Sequence, residues 1–324
     1  MEIAVPQIIN QKIVTAGAAY WNQRNALASL RGRLTDLFHA VDHPGDLFLS
    51  QWAQLTATTL EFEPDVILEL GRGRGNSTCA FTEALNRLGG SRKLISLCQS
   101  DDWDRLTQPR VSKVVPPSWF HPLKTLKEDI LHYPYETVLN RDAKYLVFWD
   151  AHGFDVAECV LGKILPLIAN RPHLVIMHDL SDARYSGPEA GYYGANRLWR
   201  GNDWSGPRLR LGHIDSSVEQ AVAAVDFTSR NQIRLNSADE SLHLFFGSDS
   251  KKQTSMKDLV GEEMFSLAAH WFYFSLNERS GVFTFPRFES PDEKKTSSCA
   301  ITPKERPAGM KSRIKSWLQK SLRL

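Results

Sequence analysis

Residues 66–78, Val66-Ile67-Leu68-Glu69-Leu70-Gly71-Arg72-Gly73-Arg74-Gly75-Asn76-Ser77-Thr78, set the frame for the rest of the chain. A short apolar run makes a strand, and three glycines at alternate positions make a turn that residues bearing a Cβ enter only with strain. Ser77 to Leu88 suits a helix, whose first N–H groups would face any anion lying over the turn. Gly89-Gly90 stops that helix, and Lys93-Leu94-Ile95-Ser96-Leu97-Cys98 supplies a second strand. Strand, helix and strand within about 30 residues form a βαβ unit and require a parallel sheet. The register is GxGxG, with Asn76 where a dinucleotide fingerprint carries its last glycine, which disfavours a nicotinamide cofactor.

The alternation continues outward from this unit. Val111–Val115 is a weakly marked third strand, and Tyr145–Trp149 is a strong one ending at Asp150. Val156–Ala169 reads as a helix bent at Pro166, and His173–Met177 as a strand ending at His178-Asp179. Val218–Asn231 suits a helix, while Gln232–Leu235 and Ser241–Phe246 read as an antiparallel hairpin across Asn236–Glu240. Upstream, Ala26–Val41 and Leu47–Leu60 have helical periodicity and are divided by His43-Pro44-Gly45. The simplest assembly is an α/β fold: a doubly wound, mostly parallel, Rossmann-like sheet with an antiparallel terminal hairpin, a helical N-terminal extension and C-terminal additions. The expected boundaries are a helical extension over 1–60 and a ligand-binding domain over 61–250. Within that domain, 181–213 forms a lid or substrate loop carrying Tyr185, Tyr192, Tyr193, Trp199 and Trp204. An addition over 251–285 would pair Trp271–Phe274 with Val282–Phe285, and 286–309 is a proline- and charge-rich linker. Residues 310–324 place Met310, Ile314, Trp317, Leu318 and Leu322 on one side of a helix. Lys311, Arg313, Lys315, Lys320 and Arg323 make that segment basic, so it could lie on an anionic membrane surface or dock on protein.

Composition narrows the function classes. The 324 residues are 42% hydrophobic and 23% charged, which argues against wholesale disorder and against a fibrous repeat. Lysine and arginine number 39 against 37 acids, a net charge of +2, too balanced for nucleic acid to be the main partner. No run approaches the roughly 18 apolar residues of a membrane span. The opening MEIAVPQIINQ lacks the basic-then-apolar order of a secretory signal. Cys79, Cys98, Cys159 and Cys299 are widely spaced with no CxxC pair, as expected of reduced thiols in a cytoplasmic protein.

The pattern Glu69-x-Gly71-x-Gly73-x-Gly75 resembles motif I of the class I S-adenosylmethionine-dependent methyltransferases. Phe148-Trp149-Asp150-Ala151-His152-Gly153 is similar to the strand end of their small-molecule O-methyltransferases, and His173–Asp182 to the next strand. With Ile67–Thr78, these segments resemble the catechol O-methyltransferase-like and cephalosporin-hydroxylase-like branches over roughly residues 47–246. The resemblance implies a methyltransferase fold that holds S-adenosylmethionine through Glu69, Gly71, Gly73, Gly75, Asn76 and Ser77, with Asp150 nearby. Asp101 and Asp129 are placed near the ribose and adenine, and Trp103 is either an adenine contact or core.

The same resemblance implies a divalent cation held by Asp150 and Asp179 with His178 beside them. Two carboxylates suit Mg²⁺, whereas an added imidazole leans toward a transition metal. Three departures stand out. Cys98 occupies the position of the usual ribose-binding acid, and Gly153 that of the catechol enzymes' lysine, so a base would be His152 or His178. Arg72 and Arg74 are unusual inside a glycine loop, where Arg72 is either solvated or meets a carboxylate. The implied activity is O-methylation of a small-molecule hydroxyl, on a sugar or secondary metabolite, with Asp150, His152 and His178 at the reacting end. The alternatives are a catalytically inactive binding or scaffold protein, or a hydroxylase-type enzyme, on the same fold. Self-association is left open.

Overall fold

The computed structural model describes residues 1–5, 14–139, 142–182, 184–185, 209–211 and 214–289. Its centre is a seven-stranded sheet between two helical layers. Five strands run parallel: β2 (Val66–Leu70), β3 (Lys93–Leu97), β4 (Leu123–Leu126), β5 (Tyr145–Trp149) and β6 (His173–His178). Their spatial order is β4-β3-β2-β5-β6, so the chain steps outward from β2 in one direction, returns, and steps outward in the other. That reversal opens a crevice between the carboxyl ends of β2 and β5, where open α/β sheets bind ligands. β10 (Trp271–Phe274) joins antiparallel to β6 with Trp271 opposite His178, and β9 (Asn236–Ser237) pairs antiparallel with β10. The result is a doubly wound, Rossmann-like sheet with an antiparallel strand inserted beside β6. Two small antiparallel ribbons lie outside it, β1 (Glu2–Val5) with β11 (Gly281–Thr284) and β7 (Leu180–Asp182) with β8 (Leu209–Leu211).

Alternate strand residues face opposite layers. Ile67, Leu94, Leu146, Phe148, Leu174 and Ile176 pack toward α1 (Ala16–Asn22), α2 (Arg24–Val41), α3 (Leu49–Phe62) and α4 (Asn76–Leu88). Val66, Leu68, Leu70, Val147, Val175 and Met177 pack toward the other layer. There α6 (Phe154–Cys159) runs through a π-helical turn, Val160–Ile164, into α7 (Leu165–Ile168), with α8 (Ile214–Arg230) beside it. Both faces are covered, so the central strands read as continuous apolar runs rather than as alternating ones. α3 buries every residue except Glu61, and its polar positions are used internally. Gln51 donates to the Ala269 carbonyl at 2.9 Å and Gln54 to that of Ser266 at 2.9 Å. Residues 1–288 form one compact unit.

Three expectations about individual elements are corrected. Val111–Val115 is not a strand: a π-helical turn over Trp103–Thr107 leads into the short α5 (Gln108–Val111), and the third parallel strand is Leu123–Leu126. That strand lies at the sheet edge with no fully buried residue, so it leaves no apolar run to read. Ser241–Phe246 belongs to a helix, α9 (Ala238–Phe246), because the Ser237 hydroxyl caps it by accepting from the Glu240 N–H at 3.1 Å. Leu242 and Phe246 are then buried one turn apart while Leu244 points outward, 73% exposed. Trp271–Phe274 and 282–285 do not pair with each other; the first enters the main sheet, and β11 pairs with the amino-terminal strand. A further helix, α10 (Ser250–Val260), lies between β9 and β10. Most of the expected lid, with Tyr192, Tyr193, Trp199 and Trp204, lies outside the described residues. So do Cys299, nearly all of the linker and the basic C-terminal helix.

Candidate active site

The glycine turn joins β2 to α4 at the crevice. Gly71, Gly73 and Gly75 all have positive φ, at 93°, 49° and 90°. They differ in what forbids a side chain. A Cβ on Gly71 would collide with the Asp150 carbonyl, and one on Gly75 with the Trp103 ring, whereas one on Gly73 would meet nothing within 4 Å. Gly71 and Gly75 are therefore fixed by the protein's own packing, and Gly73 faces open space. Gly75 precedes α4 with no side-chain cap on the helix, which leaves the positive end of the helix dipole for an external acceptor. A carboxylate or other anion fits this donor set.

Glu69 does not reach that space. Its buried carboxylate accepts hydrogen bonds from Ser77 at 2.6 Å, Thr78 at 2.7 Å and the Ser96 hydroxyl, so it braces the turn from beneath. Burial pushes its pKa upward, while the three hydroxyls and the Arg72 charge oppose the rise. Arg72 is not solvated: it is 2% exposed and donates to the Ser96 carbonyl at 2.8 Å. Asn76 is likewise engaged. Its amide donates to the His43 carbonyl at 3.1 Å and to Asp46 at 2.8 Å, and accepts from the Trp52 indole at 3.2 Å. The turn between α2 and α3 is thereby tied to the glycine loop.

Asp101 follows β3, and Asp129 follows β4, on the same carboxyl edge. Asp101 lies 3.4 Å from Arg105, whereas Asp129 accepts the Leu131 N–H at 2.9 Å and contacts His132 at 3.0 Å. Both side chains are partly exposed. Trp103 is core, 1% exposed and packed under Gly75.

At the ends of β5 and β6 two acids and two imidazoles converge. His178 Nδ1 is 2.9 Å from Asp150 and 3.4 Å from Asp179. His152 Nε2 is 3.1 Å from the other oxygen of Asp179. The two rings approach from opposite layers. His178 continues the face of Phe148 and Ile176 toward α3 and α4, whereas His152 Nδ1 lies 3.0 Å from Gln220 on α8. Asp179 turns the chain out of β6 in the left-handed region, φ 60°, which costs a non-glycine residue some strain and recurs at functional sites.

Electrostatics favour retained protons in this cluster. Burial alone would depress His178, but the Asp150 charge and hydrogen bond, with Asp179 and Asp46, lift it to about 9. Burial pushes Asp150 up as well, so the pair holds a proton between them past neutrality. Burial also opposes the charged form of His152, and its bonds to Asp179 and Gln220 outweigh that and raise it.

Among the described residues, Asp150, His152 and Asp179 offer ligand atoms within 4.8 Å of one another, a set able to grip a divalent cation. The expected ligand His178 is not among these three; its side chain is only 2% exposed, and its Nδ1 faces two carboxylates. The set of one imidazole and two carboxylates suits a transition metal at least as well as Mg²⁺. The sequence reading did not single out Asp46 or Gln220. Asp46 follows a His-Pro-Gly turn that announces only a helix break, and Gln220 sits in an unremarkable helical pattern 68 residues from its partner.

No protein-family model matches the chain, and no curated protein matches it. Among solved structures, it is similar to a methyltransferase from Geobacter sulfurreducens at 16% identity and a TM-score of 0.27, over 39% of this chain and 58% of that one. It is similar to an O-methyltransferase from Bacillus cereus in complex with SAH at 15% identity and a TM-score of 0.34, over 53% of this chain and 69% of that one. It is also similar to the O-methyltransferase TomG of Streptomyces achromogenes, involved in tomaymycin synthesis and solved with SAM. There the identity is 15% and the TM-score 0.38, over 64% of this chain and 80% of that one. The chain's own strand order makes this a doubly wound, Rossmann-like α/β sheet, with a left-handed glycine turn and two acids at neighbouring strand ends on its carboxyl edge.

Proposed function

We propose that the protein is an S-adenosylmethionine-dependent methyltransferase acting on a small-molecule hydroxyl, with a divalent cation at Asp150, His152 and Asp179. One observation carries the reading: the glycine turn and the acid–imidazole cluster are in direct contact, so close that a Cβ on Gly71 would strike the Asp150 carbonyl. A ligand held over Gly73 and the α4 N-terminus therefore presents its far end to the cluster. When bound, S-adenosylmethionine supplies an electrophilic sulfonium methyl, and a divalent cation lowers the pKa of the acceptor hydroxyl. The protein's own residues do the rest. The α4 N–H groups hold the methionine carboxylate, Asp150 and Asp179 supply negative charge at the reacting end, and His152 would complete the cation's ligand set through Nε2, with the acidified acceptor proton released to water. His152 and Asp179 keep 21% and 18% of their side chains exposed, enough for an acceptor oxygen to reach them.

Calorimetric titration with S-adenosylmethionine and S-adenosylhomocysteine, with Mg²⁺, Mn²⁺ or EDTA, tests this on wild type and Gly73→Arg. Gly73 is the diagnostic position because a Cβ there meets no protein atom within 4 Å, and the left-handed φ costs about 1–2 kcal/mol. The expected result is micromolar binding in wild type and at least a tenfold loss in a folded Gly73→Arg. No binding with any metal overturns the reading, and binding without turnover of any hydroxyl acceptor moves it to a scaffold role.

A further inference from the structure

Gln220 is fully buried on α8, and its amide bridges the last residue of β5 and the loop that follows it. The Nε2 group donates to the Trp149 carbonyl at 3.4 Å, and Oε1 lies 3.0 Å from His152 Nδ1. The Trp149 carbonyl can only accept, so the amide has one consistent orientation: its NH₂ toward Trp149 and its oxygen toward His152. An amide oxygen can only accept, so His152 Nδ1 must be the donor. The neighbouring Glu219 fastens the same loop by accepting the Phe154 N–H at 2.8 Å. Gly153, between these anchors, takes φ 102°, which lets the chain leave the His152 position sharply.

This arrangement dictates what the other ring nitrogen does. With the proton fixed on Nδ1, the Nε2 lone pair points at an Asp179 oxygen 3.1 Å away, a repulsive contact unless a cation lies between them. A second proton serves in the metal-free protein, and a divalent ion serves where one is held. A neutral ring with the opposite tautomer would satisfy Asp179 by itself and would close the site to both. The second-layer amide thus decides whether Nε2 is available.

We propose that Gln220 is the positioning residue of His152, fixing its ring orientation and keeping the Nδ1 proton so that Nε2 is presented to Asp179 and the reacting end. The consequence for turnover rests on the methyltransferase reading above; the consequence for the ring does not. Hydrogen bonds of this kind to a histidine that holds a metal or moves a proton typically change affinity or activity about 10–100-fold when removed.

The test uses the full chain, ¹⁵N-labelled at histidine and treated with EDTA, as wild type, Gln220→Leu, Gln220→Asn and Gln220→Glu. Two-bond ¹⁵N–¹H spectra, read after the ring has lost its second proton, report which nitrogen carries hydrogen. Wild type and Gln220→Glu are expected to show a protonated Nδ1, since both retain an acceptor oxygen. Gln220→Leu and the shorter Gln220→Asn are expected to move the proton to Nε2. In turnover assays kcat should fall about 10–100-fold in the Leu and Asn variants, with the S-adenosylmethionine Kd unchanged within twofold, and recover in Gln220→Glu. An Nδ1 pattern unchanged in either folded Leu or folded Asn variant overturns the proposal. Absence of S-adenosylmethionine binding in wild type overturns the methyltransferase reading instead, and the nitrogen spectra still decide the role of Gln220.

Discussion

His178 shows how one side chain sets the charge of a whole site. It lies on the buried face of β6, where an imidazole without an acid would be neutral, and the carboxylates of Asp150, Asp179 and Asp46 keep it charged. A folded-state pKa of about 9 against an ordinary 6.5 fixes the sign of its contribution to stability. That contribution is complete below pH 6.5 and is lost as pH rises through 9, with a slope of at most about 1.4 kcal/mol per pH unit. Urea unfolding of the EDTA-treated protein should therefore show stability falling between these limits. His178→Asn, which keeps an N–H for Asp150 but cannot take up the proton, should flatten the profile. An unchanged slope in that variant would place the titrating group elsewhere. The histidine was visible in the sequence as an ionisable strand end, but its depth was not. Strand register assigns it to the α3–α4 face, and nothing local to His178-Asp179 distinguishes that imidazole from the more accessible one at His152.

Among the elements, legibility followed burial. β2, β5 and β6 lie inside the sheet with every residue buried, and their apolar runs are plain to read. β4 and β9 are at the edges, where one row of backbone groups and one face meet solvent, so neither carries a run long enough to notice. Ser241-Leu242-His243-Leu244-Phe245-Phe246 alternates like a strand yet lies in α9, and the deciding signal is the cap at Ser237 upstream. The glycine loop is the opposite case: its chemistry is in its letters, yet why Gly75 must be glycine is a matter between elements. The π-helical turn after β3 drives the Trp103 ring against the α4 N-terminus, which leaves no room for a Cβ. Gly75→Ala therefore combines a clash with a left-handed φ of 90° and is expected to cost about 2–4 kcal/mol. Trp103→Leu removes the clash but not the strain. In a double-mutant cycle by chemical denaturation, Gly75→Ala should cost at least 1 kcal/mol less in the Trp103→Leu background. Strict additivity would show that the backbone conformation, and not the indole, demands the glycine.

For the compact unit as a whole, the two ends of the chain within it are joined. β1 pairs with β11 over four residues, and Met1 and Phe285 exchange backbone hydrogen bonds at 2.8 and 3.2 Å. Val5 and Phe283 are buried where the ribbon meets the α8 layer, and Asn231 at the end of α8 fixes Thr284 through its N–H at 2.7 Å and its carbonyl at 3.0 Å. α8 therefore runs from the clamp on His152 at Gln220 to the ribbon at Asn231, eleven residues or about 16 Å away along the helix axis. A helix held at both ends transmits little of a loss at one end to the other so long as its own packing survives, and Ala221, Ala224 and Phe227 anchor it between them. Deleting residues 1–5 leaves β11 unpaired and exposes Phe283, at a cost of roughly 2–4 kcal/mol. For a unit of this size that should lower Tm by several degrees. On the proposed function, S-adenosylmethionine affinity should stay within about twofold, because the glycine turn, the acid–imidazole cluster and Gln220 keep every contact described above. A thermal melt and a calorimetric titration on the same sample check both halves. Loss of affinity in proportion to the loss of stability would mean that α8 shifts as a body and that the ribbon, through it, sets the position of His152.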